Sequence, residues 1–124
     1  MKYKGKIEFS IVENHPDRVV SEMPIQPGIL NPFGVVHAGA ILWFADVTAT
    51  HLAKGPGEIQ PGMPGFPLAI SLNASLTGNQ KDGKFRAVST FVKKGKTLSI
   101  VRTSVLGEND RLIADVTTTH IPSR

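Results

Sequence analysis

The chain has 124 residues, one domain's worth, long enough to bury roughly 65% of its unfolded surface, and a single domain over residues 1–124 is expected. It has no cysteine, which excludes disulfides, thiolate metal sites and cysteine nucleophiles, and its net charge of +4 is modest. No apolar run approaches the roughly 18 residues that span a bilayer, and the charged start lacks an apolar leader core, so a soluble cytoplasmic protein is expected.

Lys6 to Val12 and Arg18 to Ile25 can each supply a strand ahead of a polar stretch, Asn31-Pro32-Phe33-Gly34-Val35-Val36-His37-Ala38-Gly39. From Gly39 to Lys54 no further glycine or proline occurs, and Ile41, Leu42, Ala45, Ala49, Leu52 and Ala53 recur at helical spacing. Trp43, Phe44 and Val47 lie on the other side, so the helix is apolar nearly all round and must be enclosed. Gly55 to Pro67 contains four glycines and four prolines and cannot be regular structure; it reads as a flap over an apolar pocket or as a plain connector.

Beyond it, Leu68, Ile70, Leu72, Ala74 and Leu76 alternate with polar or small residues, the pattern of a half-buried strand. Lys84 to Val92, Thr97 to Leu106 and Arg111 to Ile121 follow across short turns, which predicts a four-strand antiparallel meander. One helix against a long antiparallel sheet is an α+β arrangement, with the sheet curled around the rod. Open sheet edges and a remaining apolar helix face predict a homo-oligomer, most simply a two-fold dimer.

Asp46 is the only carboxylate of the helix, and burying a carboxylate is costly enough to demand a reason. It can act as base or nucleophile; the alternatives are a solvated helix edge, or a structural partner such as Arg102 or a hydroxyl. The backbone N–H groups of Ala38 and Gly39 can hold an oxyanion at the helix start. His37 can orient a carbonyl or cap the helix, and the Asn31 amide can hold a water or shape a turn. His15, His51 and His120 show no metal-ligand spacing, so no metal is expected. Lys81, Lys84, Arg86, Lys93, Lys94, Lys96 and Arg102 face only Asp82 between positions 81 and 102, a segment that attracts anions or is simply a solvated face. With only Phe85 and Phe91 interleaved and no recognisable motif, a small phosphorylated ligand suits it better than nucleic acid.

The stretch N-P-F-G-V-V-H-A-G-A-I-L-W-F-A-D, with Asn31, His37, Gly39 and Asp46 at these intervals, resembles the acyl-CoA thioesterases of the hotdog fold. Within them it is most similar to the phenylacetate-pathway (PaaI-like) and 4-hydroxybenzoyl-CoA thioesterase-type branches. The resemblance spans nearly the whole chain and implies a long central helix wrapped by a curved antiparallel sheet. It assigns Asp46 as nucleophile or general base, His37 and Asn31 as residues positioning the thioester carbonyl and water, and the Ala38 N–H as oxyanion donor. Ser71 matches a hydroxyl that assists the carboxylate. Lys94-Gly95-Lys96-Thr97 matches a turn that lies near the CoA moiety in relatives, with Arg102 and Lys84 as further phosphate partners.

In the family the site straddles a dimer interface, and dimers and tetramers both remain open here. CoA would be part of the substrate, so no separate cofactor is implied. One position departs from the pattern: the family usually has His-Gly-Gly where this chain has His37-Ala38-Gly39. The implied activity is thioester hydrolysis. Its rivals are a non-catalytic acyl-CoA-binding or regulatory hotdog protein and an acyl-thioester hydratase or dehydratase. No nucleic-acid or membrane partner is expected.

Overall fold

The computed structural model describes residues 1–123. Its elements are β1 (Ser10–Asn14), β2 (Arg18–Pro24), α1 (Ala38–Lys54), β3 (Pro67–Leu76), β4 (Lys84–Lys94), β5 (Ser99–Leu106) and β6 (Leu112–Pro122), with short 3-10 turns at Pro27–Ile29 and Glu108–Asp110. The helix starts one residue earlier than its pattern suggests. It stops at Gly55, whose φ of 88° a side chain would resist and whose N–H caps the carbonyls of His51 and Leu52.

The strands form one antiparallel sheet in the order β1-β2-β4-β5-β6-β3, and α1 packs against all six. Six strands spaced about 4.8 Å apart are wider than one helix, so the sheet touches α1 throughout only by curling around it. The expected rod in a curved sheet is therefore present.

The four-strand meander is not. Only β4, β5 and β6 follow one another, while β3 lies at the sheet edge beside β6. The short connection after β3 crosses the ends of β6 and β5 instead of making a hairpin, and hydrogen bonds fix it there. The N–H groups of Thr77 and Gly78 donate to the Ile113 carbonyl, and the Asn79 side chain pairs with both backbone groups of Val36. The first strand also begins later than expected: residues 6–8 bond to the Gln26 side chain and the Gly28 carbonyl rather than to a strand neighbour.

The core has two apolar clusters. Met23, Phe44, Phe85, Val105 and Val116 belong to the larger; Val19, Ala49, Leu52 and Val101 form the smaller. Between them runs a layer of buried hydroxyls, with Ser21 paired to Thr48 and Ser89 to Thr103 at 2.6 Å, while Thr118 meets His120. On β2 the sequence Val19, Ser21, Met23 passes from one cluster through this layer into the other, and Val101, Thr103, Val105 does so on β5. Each hydroxyl is satisfied by its neighbour, which is what permits it inside a core.

Candidate active site

The entrance to α1 is built by a tight loop. Asn31 donates its N–H to the Val35 carbonyl, and its side-chain oxygen accepts from the N–H groups of Phe33 (2.9 Å) and Val35 (3.2 Å). Gly34 supplies the φ of 77° that this turn requires. The Asn31 carbonyl oxygen of the side chain is thus spent on shaping the loop, the turn role open to it from the sequence.

His37 precedes the first helical residue, is exposed, and donates its backbone N–H to Ile29 at 2.9 Å without capping the helix through its ring. It lines an open cavity of about 390 Å³ with Ile7, Gly28, Gly39 and Trp43. Ala38 and Gly39 are exposed as the first helical residues, where backbone N–H groups have no acceptor within the helix and the helix dipole favours negative charge. A Cβ on Gly39 would meet nothing within 4 Å, so the space before the helix start is open.

Asp46 lies elsewhere. Eight residues beyond Ala38, it is about 12 Å further along the helix, too far for both to act on one carbonyl within a single chain. It lines a separate cavity of about 310 Å³ with Val47, His51, Ile59, Phe66 and Leu68. Residues of the Gly55 to Pro67 segment therefore form one wall, as the flap reading requires. Asp46 is half-buried, and its Oδ1 is buried without a hydrogen-bond partner. Arg102, one structural partner considered for it, is taken: it makes two hydrogen bonds to Asp115, of 3.0 and 2.7 Å, and these hold the Asp115 carboxyl below the usual range.

The structure separates Ser71 from Asp46. The register of β3 against β6 shifts between Ala69 and Ser71, so Ser71 stands opposite Thr119 while Ala69 stands opposite His120. On β6 the residues Ala114, Val116, Thr118 and His120 are buried toward α1, and Asp115, Thr117 and Thr119 alternate on the other face. Ser71 thus sits on the sheet face turned away from α1. The same bulge breaks the regular leucine stripe of β3. Leu68 (48% exposed), Ile70 (56%), Leu72 (42%) and Leu76 (48%) are all open, so the strand expected to be half-buried is uncovered.

Of the histidines not assigned to the site from sequence, His51 lines the Asp46 cavity and His120 stands opposite Ala69 of its wall. His120 is 1% exposed; its Nε2 lies 2.8 Å from the Thr118 hydroxyl and its Nδ1 is buried without a partner. Burial pushes its pKa down, and the nearby Asp46 carboxylate partly opposes this. His51 lines the Asp46 cavity, also with a buried unpartnered Nδ1, and burial followed by Lys54 lowers its pKa. The strand alternation could have found His120: charged Asp115 must face out, which turns every second residue from Ala114 to His120 inward.

The basic turn joins β4 to β5. Lys94 sits over the Phe91 ring at 5.4 Å, and a Cβ on Gly95 would collide with the Leu98 carbonyl oxygen, so the turn needs glycine there. Gly95 and Lys96 line a small cavity of about 170 Å³ that also contains Ala53, Pro67 and His120, and Pro67 borders the Asp46 cavity as well. Lys96 and Thr97 are exposed. Lys84, by contrast, pairs with Glu22 at 2.9 Å. Among the described residues, no group of three or more metal-ligand side chains is gathered, and no helix is long and apolar enough to cross a membrane.

No protein-family model matches the chain. The "Putative esterase ComA2" of Bacillus subtilis is 28% identical over 105 residues, 85% of this chain and 81% of that protein. Among solved structures, a mutant of the thioesterase SAV0944 from Staphylococcus aureus superposes with a TM-score of 0.85 at 22% identity, covering 95% of each chain. The thioesterase HI1161 from Haemophilus influenzae gives 0.81 at 19% identity, covering 92% of this chain and 77% of its own. One long helix enclosed by a six-strand antiparallel sheet, shared with these thioesterases, identifies the chain as a hotdog-fold protein.

Proposed function

We propose that the protein is an acyl-CoA thioesterase that works as a homodimer, with Asp46 of one subunit facing the helix entrance of the other. The observation that carries this reading is a carboxylate oxygen, buried and unpaired, on the wall of a mostly apolar cavity. The N–H groups of Ala38 and Gly39 polarise the thioester carbonyl and hold the oxyanion, with His37 beside them. Asp46 either attacks that carbon or takes a proton from an attacking water. In the first case a mixed anhydride forms as CoA thiolate leaves, and water then cleaves the anhydride to the free acid. Both routes consume one water and release one thiol.

The separation of about 12 Å along the helix supports a site shared between subunits, because neither half can serve the other's carbonyl within one chain. β3 supports the same reading. It is an edge strand with four exposed large apolar side chains, and a second copy pairing there would cover them. Lys94 and Lys96, both exposed at the turn between β4 and β5, suit the phosphates of the CoA nucleotide. The likeness to ComA2 and to the solved thioesterases favours hydrolysis over the hydratase alternative.

The test is thiol release from aryl-, short- and long-chain acyl-CoAs by the parent and by Asp46→Asn. The parent is expected to turn over at least one of them, and Asp46→Asn to lose about 10²–10⁴-fold in kcat with its fold intact. An Asp46→Asn protein as fast as the parent would remove Asp46 from the chemistry. Binding of acyl-CoA by the parent without thiol release would make the protein a binding module.

A further inference from the structure

On β6, Thr118 lies on the sheet face toward α1, where Ser71 of β3 does not, and its hydroxyl is already bonded to a histidine. Three buried polar atoms lack partners in this region: Oδ1 of Asp46 and Nδ1 of His51 on α1, and Nδ1 of His120 on β6. The first is an acceptor and each ring nitrogen can be a donor, but only the His120 ring is fixed through its other nitrogen by a hydroxyl. Ala69, on the wall of the Asp46 cavity, stands opposite His120 in the sheet, and Pro67 borders both that cavity and the one His120 lines. Unpaired buried polar atoms cost about 1–3 kcal/mol each, and a complementary pair of them in one place is hard to explain as packing alone.

We infer that His120 is a positioning residue for Asp46: its ring, fixed through Nε2 by the Thr118 hydroxyl, offers Nδ1–H to Oδ1 of Asp46 through one water. The tautomer follows from the two neighbours. A carboxylate favours the proton on Nδ1, which leaves Nε2 to accept from the Thr118 hydroxyl. With Oδ1 held, Oδ2 is the oxygen left to meet the thioester carbon or a water. A neutral ring suits this role better than a cation, which would tie the carboxylate into an ion pair. Burial keeps it neutral at pH 7.

The groups around the ring are Asp46 and His51 from α1, Ala69 from β3, Ser99 from β5 and Lys96 from the turn before β5. Of these, the charge found acting on His120 is that of Asp46. This assignment rests on the thioesterase reading for its kinetic consequence, but the pairing itself does not.

The experiment compares His120→Asn, His120→Gln and His120→Leu in kcat and KM, beside a nuclear magnetic resonance titration of the His120 ring in the parent and in Asp46→Asn. Asparagine places its amide near the position of Nδ1, glutamine near that of Nε2. His120→Leu and His120→Gln are expected to lose up to about 100-fold in kcat with KM little changed, the scale of a misplaced catalytic group, while His120→Asn keeps most of it. Rescue by glutamine rather than asparagine would mean that only the bond to Thr118 matters, and equal kcat in all three would likewise overturn the inference.

In the titration, Asp46→Asn removes the neighbouring negative charge, so the His120 midpoint is expected to fall further below that of the parent. An unchanged midpoint would overturn the pairing even if the variants failed to fold. If the parent released no thiol from any acyl-CoA, the thioesterase reading would fail while the titration still decided whether His120 holds Asp46.

Discussion

Asp46 shows how one residue's role depends on what surrounds it. On the helix surface its neighbours Leu42, Ala49 and Ala53 explain only that the site is apolar and leaves room. The unpaired oxygen, the cavity beside it and His51 on the same cavity wall are what support the role proposed for the carboxylate. The histidines also carry a consequence for stability. Burial lowers the pKa of both His51 and His120 from about 6.5, so in the folded state they stay neutral where the unfolded chain takes up protons. Their contribution is therefore complete above about pH 6.5 and is lost progressively as the pH falls toward the folded-state values. Urea midpoints measured at pH 7.5 and 5.5 should be lower at 5.5, with a smaller drop in His51→Asn. A midpoint that rose on acidification would show that neither ring is held neutral.

At the scale of elements, the hydroxyl layer ties α1 to the sheet. Thr48 donates to the Phe44 carbonyl one turn back and shares a hydrogen bond with Ser21 on β2, so it fixes both the rotation of the helix and its height over the strands. Thr48→Val keeps the volume but strands the Ser21 hydroxyl, and should cost about 1–3 kcal/mol in urea unfolding. Ser21→Ala in the same chain should remove much of that penalty, since no orphaned group remains. Additive losses in the double variant would mean that the two hydroxyls act independently.

The strand β3 marks the limit of reading elements from pattern. Its apolar alternation correctly identifies a strand, yet the bulge near Ile70 turns Ser71 away from α1 and puts Leu68 on the opposite face from Leu72 and Leu76, all of them open on this edge strand. Pairing register is a contest between whole strands, so one inserted residue reverses which side chains meet the helix.

For the whole molecule, the proposed function makes one demand: a second copy of the chain has to cover the exposed apolar edge and bring its helix entrance to Asp46. Leu72→Asp puts a charge into that edge without touching the core clusters. Sedimentation should show a dimer for the parent and a shift toward monomer for the variant, with thiol release falling in parallel. A variant that stayed fully dimeric would place the contact on another surface. A monomer that kept full activity would return both half-sites to a single chain.

Much of this architecture follows from local chemistry alone. The span of α1 is legible because glycine and proline are excluded from its interior and apolar residues recur every third or fourth position, while Gly55 marks its end. The entrance stretch and Asp46 are legible as spaced residues on one element, and their intervals carry the resemblance to thioesterases. Period-two alternation reveals the strands, though not their neighbours. Tertiary structure decided the rest: it sent β3 to the edge beside β6, paired Arg102 with Asp115 and spent the Asn31 side chain on its own loop. It also turned Thr118 and His120, from the last strand, inward toward α1 and bonded them to each other. Sequence periodicity records which side of an element is apolar; only the competition among strands for hydrogen-bonding partners determines which elements meet.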